Sequence, residues 1–236
     1  MVDQAAIKNA NYMKAYRFIK EGILGGEFAE DYVFIETKLA DQIGISRTPV
    51  REAMRMLKSE NLLQSVPKKG ILCRPISIED CNAIYGLGES IESMMVYNIV
   101  LRYRETDFSW IEKNVISMEE AVRINDKDLW STADQAFHKC IMDICDNKFA
   151  VEAMEKLQMY IQLVRVRYAK HNIQRRLLST MQHRELYEAM ITGDSDFARI
   201  ITINHWKSIR ANILADWKGA SAERNNDNPL LLIENN

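Results

Sequence analysis

The chain has 236 residues, of which 47% are hydrophobic and 27% charged, so it is long enough for one large globular domain or two ordinary ones. The formal net charge of −2 excludes a uniformly basic protein, and no uncharged apolar stretch reaches the length of about 18 residues that a membrane span needs. No signal peptide is recognisable, which predicts a cytoplasmic protein. Only nine glycines and four prolines interrupt the chain, which favours a mainly α-helical fold.

Charge is distributed unevenly along the chain. Residues 1–77 contain 12 basic and nine acidic side chains, whereas the rest of the chain contains 19 basic and 24 acidic side chains. The imbalance is strongest over residues 37–74, where eight basic side chains stand against three acidic ones. A basic segment on an otherwise acidic protein predicts that this end of the molecule binds a polyanion.

The first elements in chain order are two helices. Apolar residues at helical spacing predict a first helix that ends at the glycine pair 25–26. A connector over residues 27–34 leads to a short second helix, Glu36–Ile43. Gly44 then suits a tight turn, because glycine adopts the left-handed backbone conformation at little cost.

The next helix is amphipathic, with one apolar and one strongly basic face, and Ser46 or Thr48 can cap it. Residues Leu63–Val66 and 71–74 predict two short strands joined by a basic turn. Three helices and a basic hairpin in this order predict a winged helix-turn-helix domain over residues 1–76. Its candidate DNA-binding residues are Lys38, Ser46, Arg47, Thr48, Arg51, Arg55, Lys68, Lys69 and Gly70.

The physical basis for DNA binding is that a basic helix of this kind enters the major groove, where its first-turn side chains reach base edges. Arg47, Thr48 and Arg51 lie in that turn, and arginine recognises guanine through two hydrogen bonds. Lys68 and Lys69 at the hairpin tip would contact an adjacent groove or a phosphate. The alternative is a solvated, charged face on an ordinary helix.

The remaining chain predicts an all-α antiparallel bundle of about six helices over residues 77–218. Helix-breaking or capping residues separate the six segments, which span about 78–103, 107–125, 127–145, 148–170, 173–192 and 194–217. Residues 219–236 are polar and rich in asparagine, and we expect them to form a disordered tail.

Four residues of the predicted bundle could bind a metal ion. Asp134 and His138 are four residues apart on one helix, so their side chains point to the same side, and His183 and His205 lie on two other helices. One carboxylate and three imidazoles suit a divalent transition metal such as zinc, nickel or manganese. The alternative is that the histidines are separate, hydrogen-bonded residues, and the residue pattern alone leaves both interpretations open.

The N-terminal motifs resemble a known family. Residues 45–53, ISRTPVREA, with the ENLL sequence of residues 60–63 and the basic KKG turn, resemble the signature of the GntR family of regulators over about residues 10–75. Two features differ from that signature: the connector lacks the usual Pro-Gly pair, and Asn61 stands where glycine is usual. The second difference is mild because asparagine tolerates the left-handed conformation.

The C-terminal motifs resemble the FCD ligand-binding domain of the FadR-like subfamily. They include DQAFH at residues 134–138, Asn147, His183 and His205, and the six-helix count resembles the VanR-type branch. The resemblance implies a metal held by Asp134, His138, His183 and His205, a small carboxylic or sugar acid as effector, and a homodimer paired through the C-terminal helices. Many members carry arginine where this chain has Gly88, so Arg165 and Arg167 are candidates for the effector-binding cations unless they form surface ion pairs.

The combined features predict a ligand-responsive transcriptional regulator that represses by binding double-stranded operator DNA. A metalloenzyme is one alternative, because an Asp/His-bound metal can activate water. Against it, the sequence contains no HExxH motif and no glycine-rich phosphate loop, so we expect no enzyme. A pure metal sensor, in which the metal itself is the signal, is the other alternative.

Overall fold

A computed structural model describes residues 4–169 and 172–226 and contains two compact units, which divide between Ser77 and Ile78. The boundary predicted from the sequence lies one residue earlier, between residues 76 and 77. Within the described ranges no helix combines the length and the hydropathy that crossing a bilayer would require. The described chain is mostly helical with one two-stranded antiparallel sheet, which confirms the predicted fold class.

The first unit is a small helical domain with a hairpin. The helix α1 (Gln4–Leu24) packs on α3 (Arg47–Ser59), and Ile19 of the first and Val50 and Leu57 of the second are buried. Gly44, with φ of 73°, ends the second helix in the left-handed conformation, and Ser46 precedes α3 without a capping side-chain hydrogen bond. The described elements are α1 (Gln4–Leu24), α2 (Glu36–Ile43), α3 (Arg47–Ser59), β1 (Leu63–Val66) and β2 (Gly70–Cys73).

The two strands form the predicted wing. They pair antiparallel, with Leu63 opposite Cys73 and Val66 opposite Gly70, so the second strand begins one residue before its predicted start. Lys68 and Gly70 have φ angles of 64° and 97°, which places both in the left-handed region of the tight turn. Asn61 has φ of 59°, which agrees with the expectation that asparagine replaces glycine there.

The second unit contains the six predicted α-helices and one short 3-10 helix, Tyr103–Glu105, within its described residues. The first α-helix of this unit packs along the sixth and the fourth, the second packs on the third and the fifth, and the fifth packs on the sixth. Large side chains such as Tyr85 and Phe137 are fully buried between them. The helices are α4 (Ile78–Val100), α5 (Ser109–Arg123), α6 (Lys127–Ile144), α7 (Lys148–Tyr168), α8 (Ile173–Thr192) and α9 (Ser195–Asn226).

Side-chain caps explain where these helices begin. The Asp126 carboxylate accepts hydrogen bonds from the backbone amides of Asp128 and Leu129, and Asn147 and Asn172 cap α7 and α8 in the same way. The C-terminal boundary differs from the prediction, because α9 continues to Asn226 and includes the start of the predicted tail. Each residue added to an existing helix gains a backbone hydrogen bond without a new nucleation step, which accounts for the continuation of the helix into this polar segment. Residues 227–236 lie outside the described ranges.

Candidate functional site

The inner faces of α6, α8 and α9 bring the three predicted histidine ligands together, and Asp134 lies beside two of them. One ligating nitrogen from each of His138, His183 and His205 lies within 4.8 Å of the other two. The Nε2 atoms of His138 and His183 are 3.5 Å apart. Asp134 Oδ1 lies 3.7 Å from the Nε2 atom of His183 and 3.9 Å from that of His138. We call these four residues the Asp/His cluster.

The second ring nitrogen of each histidine fixes its tautomer. A neutral imidazole that donates through Nδ1 keeps the lone pair on Nε2 free to accept a proton or a metal. All three Nδ1 atoms face an oxygen, and such contacts usually orient metal-binding histidines. The oxygens are Glu92 Oε1 at 2.6 Å from His138, the Ser179 carbonyl oxygen at 2.7 Å from His183, and Gln182 Oε1 at 3.0 Å from His205.

Two atoms of the Asp/His cluster have no hydrogen-bond partner among the described residues. They are Asp134 Oδ1 and His205 Nε2, and their residues are 1% and 3% exposed. An unpaired buried acceptor costs about 1–3 kcal/mol, so two in one cluster call for a shared partner. Tetrahedral zinc sites with bonds of about 2.1 Å to nitrogen hold neighbouring ligand atoms about 3.4 Å apart, close to the spacing of the cluster atoms. The residues therefore fit a divalent transition metal.

Burial and neighbouring charges set the protonation of the cluster. Burial lowers the pKa of His183 to about 4 and that of His205 well below its ordinary value, so both rings are neutral near pH 7. Burial would also lower the pKa of His138, but the Glu92 carboxylate outweighs it and raises that pKa. Burial raises the pKa of Asp134, yet the Arg165 charge, with Nη1 3.0 Å from Oδ2, holds it below its usual value.

Two residues that the sequence analysis did not assign to the site complete its surroundings. Glu92 on α4 is 3% exposed and accepts hydrogen bonds from His138 Nδ1 and from the indole Nε1 of Trp206. Trp206 follows His205 directly on α9, so it links the backbone of one cluster helix to the carboxylate that orients His138. The only sequence signal for this role is a carboxylate among the apolar positions of α4.

The packing of Trp206 explains why glycine stands at position 88 of this chain. A Cβ atom at Gly88 would lie 2.5 Å from Cζ3 of the Trp206 ring, which leaves no room for a side chain. Arg165 on α7 supplies the cation that pairs with Asp134. Arg167 lies about 200° further around the same helix. Arg165 lines the nearby cavity, and Arg167 is not among the described residues that do so.

Gly88→Ala is expected to destabilise the second unit by about 1–3 kcal/mol, because the added methyl group overpacks the site against Trp206. The gain in helix propensity, about 1 kcal/mol, offsets part of this cost. All four tryptophans lie in the second unit, so intrinsic fluorescence during urea unfolding measures the stability of that unit.

Gly86→Ala is the matched control for this substitution. Its Cβ atom would meet only Arg210 Nη1 at 3.5 Å, an ordinary contact, so the change should be neutral or stabilising. Equal unfolding midpoints for the two variants would show that Trp206 does not press against Gly88.

A cavity of about 370 Å³ opens beside the Asp/His cluster, between α6, α7, α8 and α9. Asp134 and Arg165 belong both to the cluster region and to the cavity wall, and Trp130 and Ile213 are among its apolar lining residues. A cavity of this size with a few polar groups is typical of small-molecule sites.

In the first unit, the candidate DNA-binding residues lie on one exposed helix and one exposed turn. The side chains of Arg47 and Arg51 are 60% and 48% exposed, and both approach Glu36 on α2. Arg51 donates hydrogen bonds of 2.9–3.0 Å to the Glu36 carboxylate and lowers its pKa. Glu36 was not predicted to take part in the site. The other exposed candidates are Lys38, Ser46, Thr48, Arg55, Lys68, Lys69 and Gly70.

Comparison with known proteins gives two family matches. Residues 83–208 match the FCD domain, and residues 11–72 match the bacterial regulatory proteins of the gntR family. The transcriptional regulator YdhC of Bacillus subtilis is 25% identical over 197 residues, covering 83% of this chain and 87% of YdhC. The transcriptional repressor RspR of Escherichia coli is 23% identical over 198 residues, covering 84% of this chain and 86% of RspR.

The fold is also similar to that of solved regulators. The crystal structure of a GntR transcriptional regulator from Rhodococcus sp. RHA1 has a TM-score of 0.73 at 19% sequence identity, and the match covers 87% of this chain and 98% of that one. The proteins found in these comparisons are transcriptional regulators and not enzymes, in line with the sequence prediction.

Proposed function

This chain belongs to the gntR family of bacterial regulatory proteins and carries an FCD domain, and from that premise we propose that it is a metal-dependent, effector-responsive repressor. A small carboxylic or sugar acid binds at the Asp/His cluster and changes the affinity for operator DNA. The observation that carries this proposal is the convergence of three histidine nitrogens beside a cavity, two of them 3.7 and 3.9 Å from a buried carboxylate oxygen of Asp134 that has no hydrogen bond among the described residues.

In this proposal Asp134, His138, His183 and His205 hold one divalent ion, either zinc, nickel or manganese. Such an ion supplies Lewis-acidic positions that attract a carboxylate or hydroxyl oxygen. The chain's own groups prepare the site: Arg165 keeps Asp134 ionised, and the acceptors at the Nδ1 atoms keep the Nε2 atoms turned inwards. Because the ligands come from three helices, metal binding stabilises the second unit.

For DNA binding, we propose that α3 enters the major groove and the β1–β2 wing contacts the adjacent backbone. Regulators of this shape usually bind two half-sites as symmetric dimers, so a homodimer in the cytoplasm is part of the proposal. Effector binding then changes the spacing between the two winged helices of the dimer. The exposed basic side chains on α3 and on the wing support this assignment.

The decisive experiment measures operator affinity under four conditions. The operator is first selected from a random DNA pool with the full-length protein. Fluorescence anisotropy then measures the affinity of this operator for the metal-loaded protein and for protein whose metal has been removed with a chelator. Each form is measured with and without a panel of small acids. The proposal expects an acid to change operator affinity only when the metal is present. If chelation alone changes the affinity and no acid does, the protein is a pure metal sensor.

A further inference from the structure

The cavity beside the Asp/His cluster contains a second charged region at the start of α8. Arg175 and Arg176 line it there, whereas Asp134 and Arg165 line it beside the cluster. Arg175 forms an ion pair with Asp216. Arg176, by contrast, is in none of the ion pairs of the described residues, and Lys127 and Asp128 also line this cavity.

Arg176 is buried but largely unsatisfied. The residue is 6% exposed, and its Nη2 atom donates one hydrogen bond of 2.5 Å to the Asn125 side-chain oxygen. Its Nε and Nη1 atoms are buried and have no hydrogen-bond partner within the described ranges. A guanidinium stays charged at every physiological pH and forms strong hydrogen bonds with carboxylates. The two unpaired donors of Arg176 lie on different edges of its guanidinium, so each can donate a separate hydrogen bond to an anion.

The position of Arg176 on α8 sets its distance from the cluster. Arg176 precedes His183 by seven residues, which is almost two full turns, so both side chains leave the helix on the same face. The rise of 1.5 Å per residue separates their Cα atoms by about 10 Å along the axis. The wall between them carries neutral polar side chains, among them Ser131 and Ser179.

We propose, on the basis of the function proposed above, that the effector is a dianion: one acidic group binds at the Asp/His cluster and the second binds Arg176. Taking the axial separation of about 10 Å as the distance between the two binding groups, and subtracting a coordination bond of about 2 Å and a hydrogen bond of about 2.8 Å, leaves about 5 Å between the two acidic groups. Linear dicarboxylic acids of about four to six carbons cover this span. The neutral polar wall favours acids that carry hydroxyl groups between the carboxylates.

Matched pairs of acids test this proposal directly. The probes are glucarate against gluconate, succinate against butyrate, and adipate against hexanoate, each pair differing in whether the second end carries a carboxylate. Calorimetric titration with the zinc-loaded, full-length protein measures each affinity. We expect at least one diacid to bind about tenfold or more tightly than its monoacid partner, as the loss of a charge-assisted hydrogen bond implies.

Variants separate a ligand-binding role of Arg176 from a structural one. Arg176→Gln should lower the affinity for the diacid to that of the monoacid, leave the monoacid affinity unchanged, and leave the metal-free protein as stable as before or more stable. Arg184→Gln, on the same helix but paired with Glu119, should change none of these values.

Three results would overturn the proposal. Equal affinities for diacid and monoacid in the unaltered protein would remove the second anion site but keep the proposed function. Loss of both affinities together with lower stability in Arg176→Gln would make Arg176 structural. Binding of none of the six acids by the zinc-loaded protein would contradict the acid effector itself, and with it this inference.

Discussion

His183→Ala is expected to abolish stoichiometric metal binding. His183 is the central member of the Asp/His cluster, because its Nε2 atom lies 3.5 Å from His138 Nε2 and 3.7 Å from Asp134 Oδ1. Its neutral ring, with the pKa near 4, is ready to bind without losing a proton. Elemental analysis of the purified variant measures the metal content.

The same substitution should remove the stabilisation that the metal provides. A metal ion that binds only the folded state adds about 2.7 kcal/mol to the free energy of unfolding when its free concentration is 100 times its Kd. We therefore expect zinc to raise the melting temperature of the unaltered protein and to leave that of His183→Ala unchanged. His183→Gln, which fills more of the space, provides a second variant if the alanine variant folds poorly.

Two neighbouring substitutions calibrate this result. Gln182→Ala removes the acceptor of His205 Nδ1 and should weaken metal binding by about 10- to 100-fold without abolishing it. Arg184→Ala breaks a surface ion pair with Glu119 and should retain full metal content. Stoichiometric metal in His183→Ala would refute the ligand assignment. Lost metal with an unchanged effector response would limit the site to a structural role.

The parts of the molecule that the sequence predicted are those with local causes. Helix starts at Asp126, Asn147 and Asn172 follow from side chains that cap backbone amides two or three residues ahead. The end of α2 at Gly44 and the wing turn follow from backbone conformations that few residues adopt. Hydrophobic periodicity predicted which face of each helix is buried, because the burial of one apolar face stabilises the helix.

The contacts that the sequence did not predict join residues that are far apart along the chain. Glu92 contacts His138, 46 residues away, and Trp206, 114 residues away. Spacing along one helix cannot indicate which carboxylate of another helix lies opposite. The same applies to Arg165, which was a candidate for the effector but pairs with Asp134 across 31 residues, and to the unpaired donors of Arg176. The four cluster residues were identifiable because one pair shares a helix and the rest match a family pattern.

Arg51→Ala is expected to weaken operator binding by about 1–3 kcal/mol and to relax the preference for one base, as the loss of a bidentate contact to guanine does. In the structure Glu36 holds the half-exposed Arg51 guanidinium through hydrogen bonds of 2.9–3.0 Å. The side chain is therefore ordered before it meets DNA, which reduces the conformational entropy lost on binding. Anisotropy titrations with the selected operator and with single-base variants measure both effects.

Lys68→Ala separates base recognition from phosphate contact. Lys68 is exposed at the wing turn, so its removal should weaken binding to all sequences alike and reduce the slope of log affinity against log salt by about one. Arg17→Ala, an exposed change on α1 outside the predicted interface, should alter neither the affinity nor the slope. If Arg51→Ala instead behaves like Lys68→Ala, with every base variant weakened equally, Arg51 contacts phosphate. If the DNA footprint of Arg51→Ala is unchanged in strength and pattern, α3 is not the recognition helix.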